Sequence, residues 1–472
     1  MSFTSLEFAV FFTLFVALYY LCRHLNSKAP SAQQVILLAA SLFFYASSNF
    51  RFMPFLLYVI AVTYLAGFLC KNRASLFVFI VADLTPLLFF KYSPLEWRFG
   101  TPFPLGLSFF TFQSLSYIAD CYKNKIQAER SLITTAQFVS FFPVISCGPI
   151  QRPDKLIPQL KTSHKFDYEN ITNGMKLFAW GLLKKVYLAD KLAVYIDFVY
   201  ENPTEKHGLA ILLATMLYSI QIYCDFSGYS DMAIGAARIL GFDAGKNFDH
   251  PYMAQSVGDF WRRWHISLSS WLRDYVYIPL GGSRVAVSRI YVNLLLTFLV
   301  SGIWHGSTWN FVIWGLLHGV FLCVERATKK AQEKIKAPAA LKIITTFFLV
   351  SFAWIFFRTR NLNHAFSIIK GLSRIPSDFA NFANIKSSLG LKNAIKCIFS
   401  FDSPSFGYLK GMGIILGCAL AFIATSVLTS KKDGLKIVKS TPLLIRWFIY
   451  ILLTILILES STKPTTFIYQ IF

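Results

Sequence analysis

Charge is what this 472-residue chain has least of: Asp, Glu, Lys and Arg make up 15% of it, against 55% hydrophobic and 17% aromatic residues. With a mean hydropathy of +0.50, that scarcity excludes an ordinary soluble globule, about a quarter of whose residues are charged. Acidic side chains are rarer still, 24 against 46 basic ones, for a net charge of +22. A surplus of this size suits nucleic acid, anionic lipid or an anionic substrate. The chain has no long basic run and no RNA-binding signature, however, which argues against a nucleic-acid partner. It also lacks any CxxC pair: Cys22, Cys70, Cys121, Cys147, Cys224, Cys323, Cys397 and Cys418 are scattered. Neither a zinc site nor a disulfide framework is expected from them, and they read as small core hydrophobes. No segment recurs at a period of 20–50 residues, so a repeat array is excluded.

What the chain does have is apolar segments, at roughly 7–22, 33–49, 53–70, 75–90, 103–119, 132–149, 171–193, 208–224, 291–323, 341–357, 411–429 and 443–459. About 20 apolar residues cross the ~30 Å hydrocarbon of a bilayer, so the expected fold is all-α, a polytopic membrane protein forming one domain over 1–472. The first segment starts too early, and the pattern recurs too often, for a removable signal peptide. Basic residues follow alternate segments, as Arg23/Lys28, Lys71/Arg73 and Lys123/Lys125/Arg130. Positive charge stays on the cytoplasmic side, which predicts an N-terminus outside and a membrane-lipid environment on all sides. The segment 132–149 is broken by Pro143, Gly148 and Pro149 and has basic residues on both flanks, including Arg152, Lys155 and Lys161, so it is expected to dip in and return. The polar stretch 225–290, with Arg238, Arg262, Arg263, Arg273, Arg284 and Arg289, is expected on the cytoplasmic face as the active-site side. The segment 359–410 is then expected outside, as is the tail 460–472.

The block 291–323 is interrupted by SGIWHGSTWN (301–310) and has basic residues beyond both ends. Two arms of about 14 residues, roughly 20 Å of helix each, predict a hairpin whose tip at Trp304-His305-Gly306 lies deep in the protein. A polar tip there is expensive and marks function. A neutral imidazole at His305 suits general-base work. His24, His164, His207, His250 and His364 sit in polar connections. His318 follows His305 by 13 residues, close to four helical turns, and reads as a satisfied core histidine or as a second member of one helix face. His265 lies in FWRRWHISLSSWLRD (260–274), which fits an interfacial amphipathic helix or a site. Arg262 and Arg263 between Trp261 and Trp264 fit a phosphate clamp and lipid-headgroup anchoring equally. DFSGYSD (225–231) reads as a run after a helix end, with Asp225 and Asp231 capping helices or pairing with arginines.

Three motifs together resemble the alginate and peptidoglycan O-acetyltransferase branch of the membrane-bound O-acyltransferase family: QIYCDFSGYSDMAIG (221–235), DFWRRWHISLSSWLRDYVYIPLGGSR (259–284) and SGIWHGSTWNFVIWGLLHG (301–319). PLGLSFFTFQSLSYIADCY (104–122) and FFPVISCGPIQRPDKLIPQL (141–160) match it too, so the motif-dense part spans about 100–325. The resemblance implies a ring-like helical fold with a central tunnel and re-entrant segments. It places the family's catalytic histidine at His305 and its second polar position at His265. It further implies acetyl-CoA as donor. Some of Arg262, Arg263 and Arg273, on the expected cytoplasmic face, are then expected to contact its phosphates. An SGNH-type extracytoplasmic transferase is the implied partner, carrying acetyl to a polysaccharide. The tail FIYQIF (467–472) resembles the family's aromatic tail, departing at Gln470 and Ile471, and offers Tyr469 as a transient acetyl carrier. Peptidoglycan is the expected polymer, since a Lys-, Ile-, Phe- and Asn-rich composition suggests an AT-rich genome. Alginate, D-alanyl transfer to teichoic acid, and a transporter or flippase are the alternatives.

Overall fold

Backbone N–H and C=O groups inside hydrocarbon must find partners within their own segment, so apolar stretches of this length fold as helices. The computed structural model describes residues 1–25, 30–94, 103–401, 408–431 and 434–460, and no strand occurs among them. Four long helices open the chain: α1 (Leu6–Leu25), α2 (Pro30–Asn49), α3 (Met53–Leu69) and α4 (Arg73–Tyr92). After α5 (Leu107–Tyr122) come three short ones, α6 (Leu132–Ser140), α7 (Phe142–Ile145) and α8 (Pro153–Leu160). Helix α9 (Tyr168–Leu183) passes through a π-helical turn (Lys184–Ala189) into α10 (Asp190–Glu201), and α11 (Gly208–Ile239) returns beside it. The short α12 (Val257–Arg263) and α13 (Ile266–Leu272) precede a long pair, α14 (Val287–His305) and α15 (Trp309–Ile335). Then follow α16 (Ala339–Arg358), α17 (Leu362–Leu372), α18 (Ile375–Ile398), α19 (Tyr408–Lys431), α20 (Gly434–Ser440) and α21 (Leu443–Ser460).

Seven helices among the described residues are long and apolar enough to cross a membrane: α1, α3, α4, α11, α14, α15 and α16. On α1 the exposed residues Leu6, Val10, Leu14, Leu18 and Leu21 recur at helical spacing and form an outward apolar stripe. Water would penalise that stripe and lipid does not, so it belongs against acyl chains. The chain is a multi-pass membrane protein.

Between helices in lipid, close packing replaces the hydrophobic drive, and small residues let backbones approach. On α9, Gly174 and Gly181 lie seven residues apart, as do Gly228 and Gly235 on α11. A methyl group added to Gly181 would strike the Gly228 carbonyl oxygen, and one added to Gly235 would come within 2.7 Å of the Gly174 oxygen. These antiparallel glycine pairs hold the two helices together. DFSGYSD (225–231) departs from the sequence-based expectation. The run lies inside α11, not after a helix end, and its carboxylates meet lysines rather than caps or arginines. Lys185 Nζ is 2.7 Å from Asp225 and 2.8 Å from Asp190, and Lys184 Nζ is 2.6 Å from Asp231. The π-helical turn supplies both lysines, because its extra residue per turn brings adjacent side chains to the inner face. Replacing Lys185 by Met, which leaves two carboxylates facing each other in the interior, is expected to cost about 3–5 kcal/mol. Thermal unfolding in detergent reads this as a large fall in Tm, and an unchanged Tm would show the network to be dispensable.

Candidate active site

Helix α14 ends at His305, and the last carbonyls of a helix have no partner within it. Here α4 supplies two donors. Lys91 Nζ donates to the Trp304 carbonyl oxygen, and Tyr92 Oη donates to that of Ile303 at 2.6 Å. The Lys91 ammonium, itself buried, also stands 5.7 Å from the centre of the Trp304 ring. A cation at a helix C-terminus meets the negative end of the dipole, so one lysine satisfies the terminus and fixes the indole. From the other arm, Asn310 Nδ2 donates to the Thr359 carbonyl and hydroxyl oxygens at 2.8 and 3.0 Å, tying the tip to the end of α16. Residues 306–308 turn the chain between the two arms, but the expectation of half-length arms with a deep tip is corrected: α14 and α15 are each long enough to cross a membrane, and Ser307, Thr308 and Trp309 at the turn are exposed, so Trp304, His305 and Gly306 are buried at the end of a full-length helix. The arms span 19 and 27 residues. They exceed the apolar pattern because polar turns at Val287-Ser288-Arg289 and beyond Arg326 continue each helix. His318 stands on α15, so the turn separates it from the helix that carries His305. Its Nδ1 accepts from Trp261 Nε1 at 3.2 Å.

His305 is 4% exposed. Its ring packs edge-on against Trp304, Trp314 and Phe357, at centroid distances of 4.7, 4.9 and 5.3 Å. His265 approaches the same indole, its centroid 6.4 Å from that of Trp304, and lies within electrostatic reach of His305. The structure thus brings the two sequence-predicted histidines together around one indole. Trp304 Nε1 is buried without a hydrogen-bond partner, leaving an N–H donor beside both imidazoles.

His265 is completely buried and sits in the left-handed region at φ 44, at the break between α12 and α13. A non-glycine residue held there is strained, and surrounding contacts must impose the conformation. They come from segment 247–249. The Asn247 carbonyl accepts the Ile266 N–H at 2.9 Å, and the Arg263 carbonyl accepts the Asp249 N–H at 2.8 Å. Asn247 Nδ2 donates to Ser230 Oγ at 2.8 Å, while Oδ1 accepts the Ser267 hydroxyl at 2.9 Å and lies 3.2 Å from His265 Nδ1. The Ser267 backbone N–H also points at Oδ1. The amide orientation is thereby fixed, His265 Nδ1 must carry the proton, and Nε2 carries the lone pair. Desolvation lowers the His265 pKa to about 3, so the ring is neutral at any working pH. An interfacial helix is excluded for this stretch. Phe260, Trp261, Trp264 and Trp271 are all buried, while Arg262 is exposed and Arg263 partly so.

The three predicted arginines fall into two groups. Arg262, 73% exposed at its side chain, and Arg263 both pair with Asp259, at 3.4 and 3.0 Å. Arg273 Nε donates to Asp274 Oδ1 at 2.8 Å, and the other oxygen of Asp274 takes Arg152 at 3.1 Å. Arg152 also stacks on Tyr275, 4.6 Å from the ring centre. Sequence reasoning read Arg152 only as a flanking charge and passed over Asn247 and Lys91. Its one available signal was the matching segment IQRPDKLIPQL. Tyr469 lies outside the described residues. Among the described residues no group of three or more His, Cys, Asp or Glu side chains could hold a metal ion.

The family model described as MBOAT, membrane-bound O-acyltransferase family, matches residues 71–365, a span that takes in both histidines. The chain belongs to the membrane-bound O-acyltransferase family. It is 36% identical to a peptidoglycan O-acetyltransferase of Helicobacter pylori, over 84% of this chain and 85% of the relative. It is 38% identical to a probable alginate O-acetylase of Pseudomonas aeruginosa, over 77% and 73%. A teichoic acid D-alanyltransferase of Bacillus subtilis is 30% identical, over 64% and 84%. The protein is therefore a membrane acyltransferase.

Proposed function

We propose that this acyltransferase moves acetyl from cytoplasmic acetyl-CoA across the membrane for O-acetylation of a cell-envelope polysaccharide, with peptidoglycan as the polymer. The observation that carries the reading is the convergence of His305 and His265 on Trp304, two neutral bases around one indole whose N–H is buried and unpartnered. His305 takes the proton of an acceptor hydroxyl as its oxygen attacks the thioester carbonyl, the C–S bond to CoA breaks, and the imidazolium returns the proton to the departing CoA thiolate. Trp304 Nε1 donates to the developing oxyanion, and His265, locked by Asn247, orients the reacting groups. Arg262, Arg263 and Arg273 contact the phosphates of CoA, and Arg152, which shares Asp274 with Arg273, belongs with them. The enzyme sits in the plasma (inner) membrane with both termini extracytoplasmic. A tunnel joins the donor side to the far face, where an SGNH-type transferase receives the acetyl group. The relative named for peptidoglycan, alike over the larger share of both chains, supports that polymer over alginate.

Membrane vesicles supplied with isotopic acetyl-CoA test this directly. Label should appear covalently on envelope glycan, and a transporter or flippase would leave none. Arg263→Glu should weaken acetyl-CoA binding by about 1.5–3 kcal/mol, the worth of a charge-assisted contact, or roughly 10–150-fold in Kd. Unchanged donor affinity would return these arginines to lipid anchoring.

A further inference from the structure

Away from His305, two distant segments meet in a nucleophile–base–carboxylate arrangement. His207 closes the loop 202–207 at the start of α11, while Asp378 and Cys397 stand near the two ends of α18. His207 Nδ1 is 2.7 Å from Asp378 Oδ1, and His207 Nε2 is 3.6 Å from Cys397 Sγ, within the range of an S–H···N contact. The carboxylate requires the proton on Nδ1, which leaves the Nε2 lone pair directed at sulfur. The other Asp378 oxygen accepts the Leu209 N–H at 3.0 Å, so the carboxylate is itself fixed. Arg374 fixes the loop: its guanidinium donates to the carbonyl oxygens of Pro203, Thr204 and Lys206. Gly390, at φ 76, breaks α18 between Asp378 and Cys397, so the two side chains need not keep a straight helix's register. The imidazole is about one-third exposed and the thiol half-buried, so a small molecule reaches both.

A structural role accounts for Asp378, which caps α11 and pairs with His207. It does not account for a thiol on the remaining imidazole nitrogen. Nucleophile, base and orienting group in hydrogen-bonded sequence is the geometry that activates a cysteine. We propose that Cys397, with His207 as its base and Asp378 as the orienter of that base, is an activated thiol that takes an acyl group from an activated ester, either a thioester or an aryl ester. Sulfur attacks the carbonyl carbon and the S–H proton passes to His207 Nε2. The S–C bond forms, the bond to the leaving oxygen or sulfur breaks, and the imidazolium returns the proton to the leaving group. Asp378 accepts the Nδ1–H throughout. This site is independent of the role assigned to His305.

The test uses detergent-purified full-length protein and p-nitrophenyl acetate, with acetylation mapped by mass spectrometry. Cys397 is expected to be acetylated at least about tenfold faster than Cys22, Cys121 and Cys323, the other partly exposed thiols, since a positioned base contributes about 10²–10⁴-fold. Cys397→Ser should remove that label. His207→Gln should bring the rate down to that of the other three thiols, whereas His305→Ala should leave it unchanged, which separates failure here from failure of the proposed function. Equal rates for all four thiols in the unaltered protein, a comparison that needs no variant to fold, would overturn the proposal. So would a rate at Cys397 that is indifferent to His207→Gln.

Discussion

His305→Ala is expected to reduce glycan acetylation by about 10²–10⁴-fold, the range lost with a general base. Its surroundings explain why no other group substitutes. His265 is held through Nδ1 by Asn247, and His318 faces Trp261 from the other arm. Alanine also opens a gap among Trp304, Trp314 and Phe357, so His305→Gln is the better control: it keeps much of the volume while removing the base. Both variants should reach the membrane in normal amounts and both should fail to transfer acetyl. Full activity in His305→Gln would remove His305 from the chemistry. His265→Ala should lose less, in keeping with an orienting role, and Asn247→Ala should resemble it, because Asn247 sets the tautomer. If His265→Ala and His305→Ala lose activity equally, the two histidines share the proton transfer.

Much of this centre is legible in the chain. SGIWHGSTWN is polar and glycine-bearing in the middle of an apolar block, and such an interruption is tolerated in a membrane only where the protein encloses it, so His305 stands out from the residue pattern alone. Its surroundings do not stand out. Lys91 lies 213 residues from the carbonyl it satisfies, and a lysine closing an apolar helix looks like any charge at a membrane surface. Asn247 acts through a contact that exists only once 247–249 lies along 263–267. The aromatic and basic residues of 260–274 are half legible, because their spacing shows that the two types separate but not which one faces the protein. The carboxylates of DFSGYSD mislead for a related reason. Charge in a sequence normally signals water, and here it is matched by lysines that a π-helical turn of another segment delivers to the interior. His207 and Cys397 are 190 residues apart, and no local pattern links them.

Tyr469→Phe is expected to abolish acetylation of the glycan while leaving acetyl-CoA binding intact. On the proposed route, an acetyl group that reaches His305 has to be held in reactive form until an extracytoplasmic transferase collects it. A sugar-like alkoxide would hold it too firmly. A phenoxide, with a conjugate acid of pKa near 10, leaves more readily and keeps the ester activated. In FIYQIF the phenol of Tyr469 is the only hydroxyl, and Phe467, Ile468, Ile471 and Phe472 around it are apolar enough to enter the mouth of a tunnel. We propose on these grounds that Tyr469 accepts acetyl at His305 and surrenders it to the partner. Phenylalanine keeps the shape and the apolar character and deletes only the oxygen, so it separates a carrier from a membrane anchor of the kind aromatic belts provide. A carrier further predicts an acetylated C-terminal peptide, alkali-labile and seen by mass spectrometry after a short incubation with acetyl-CoA, that is missing in both Tyr469→Phe and His305→Ala. Full glycan acetylation in Tyr469→Phe would leave the tail with anchoring alone.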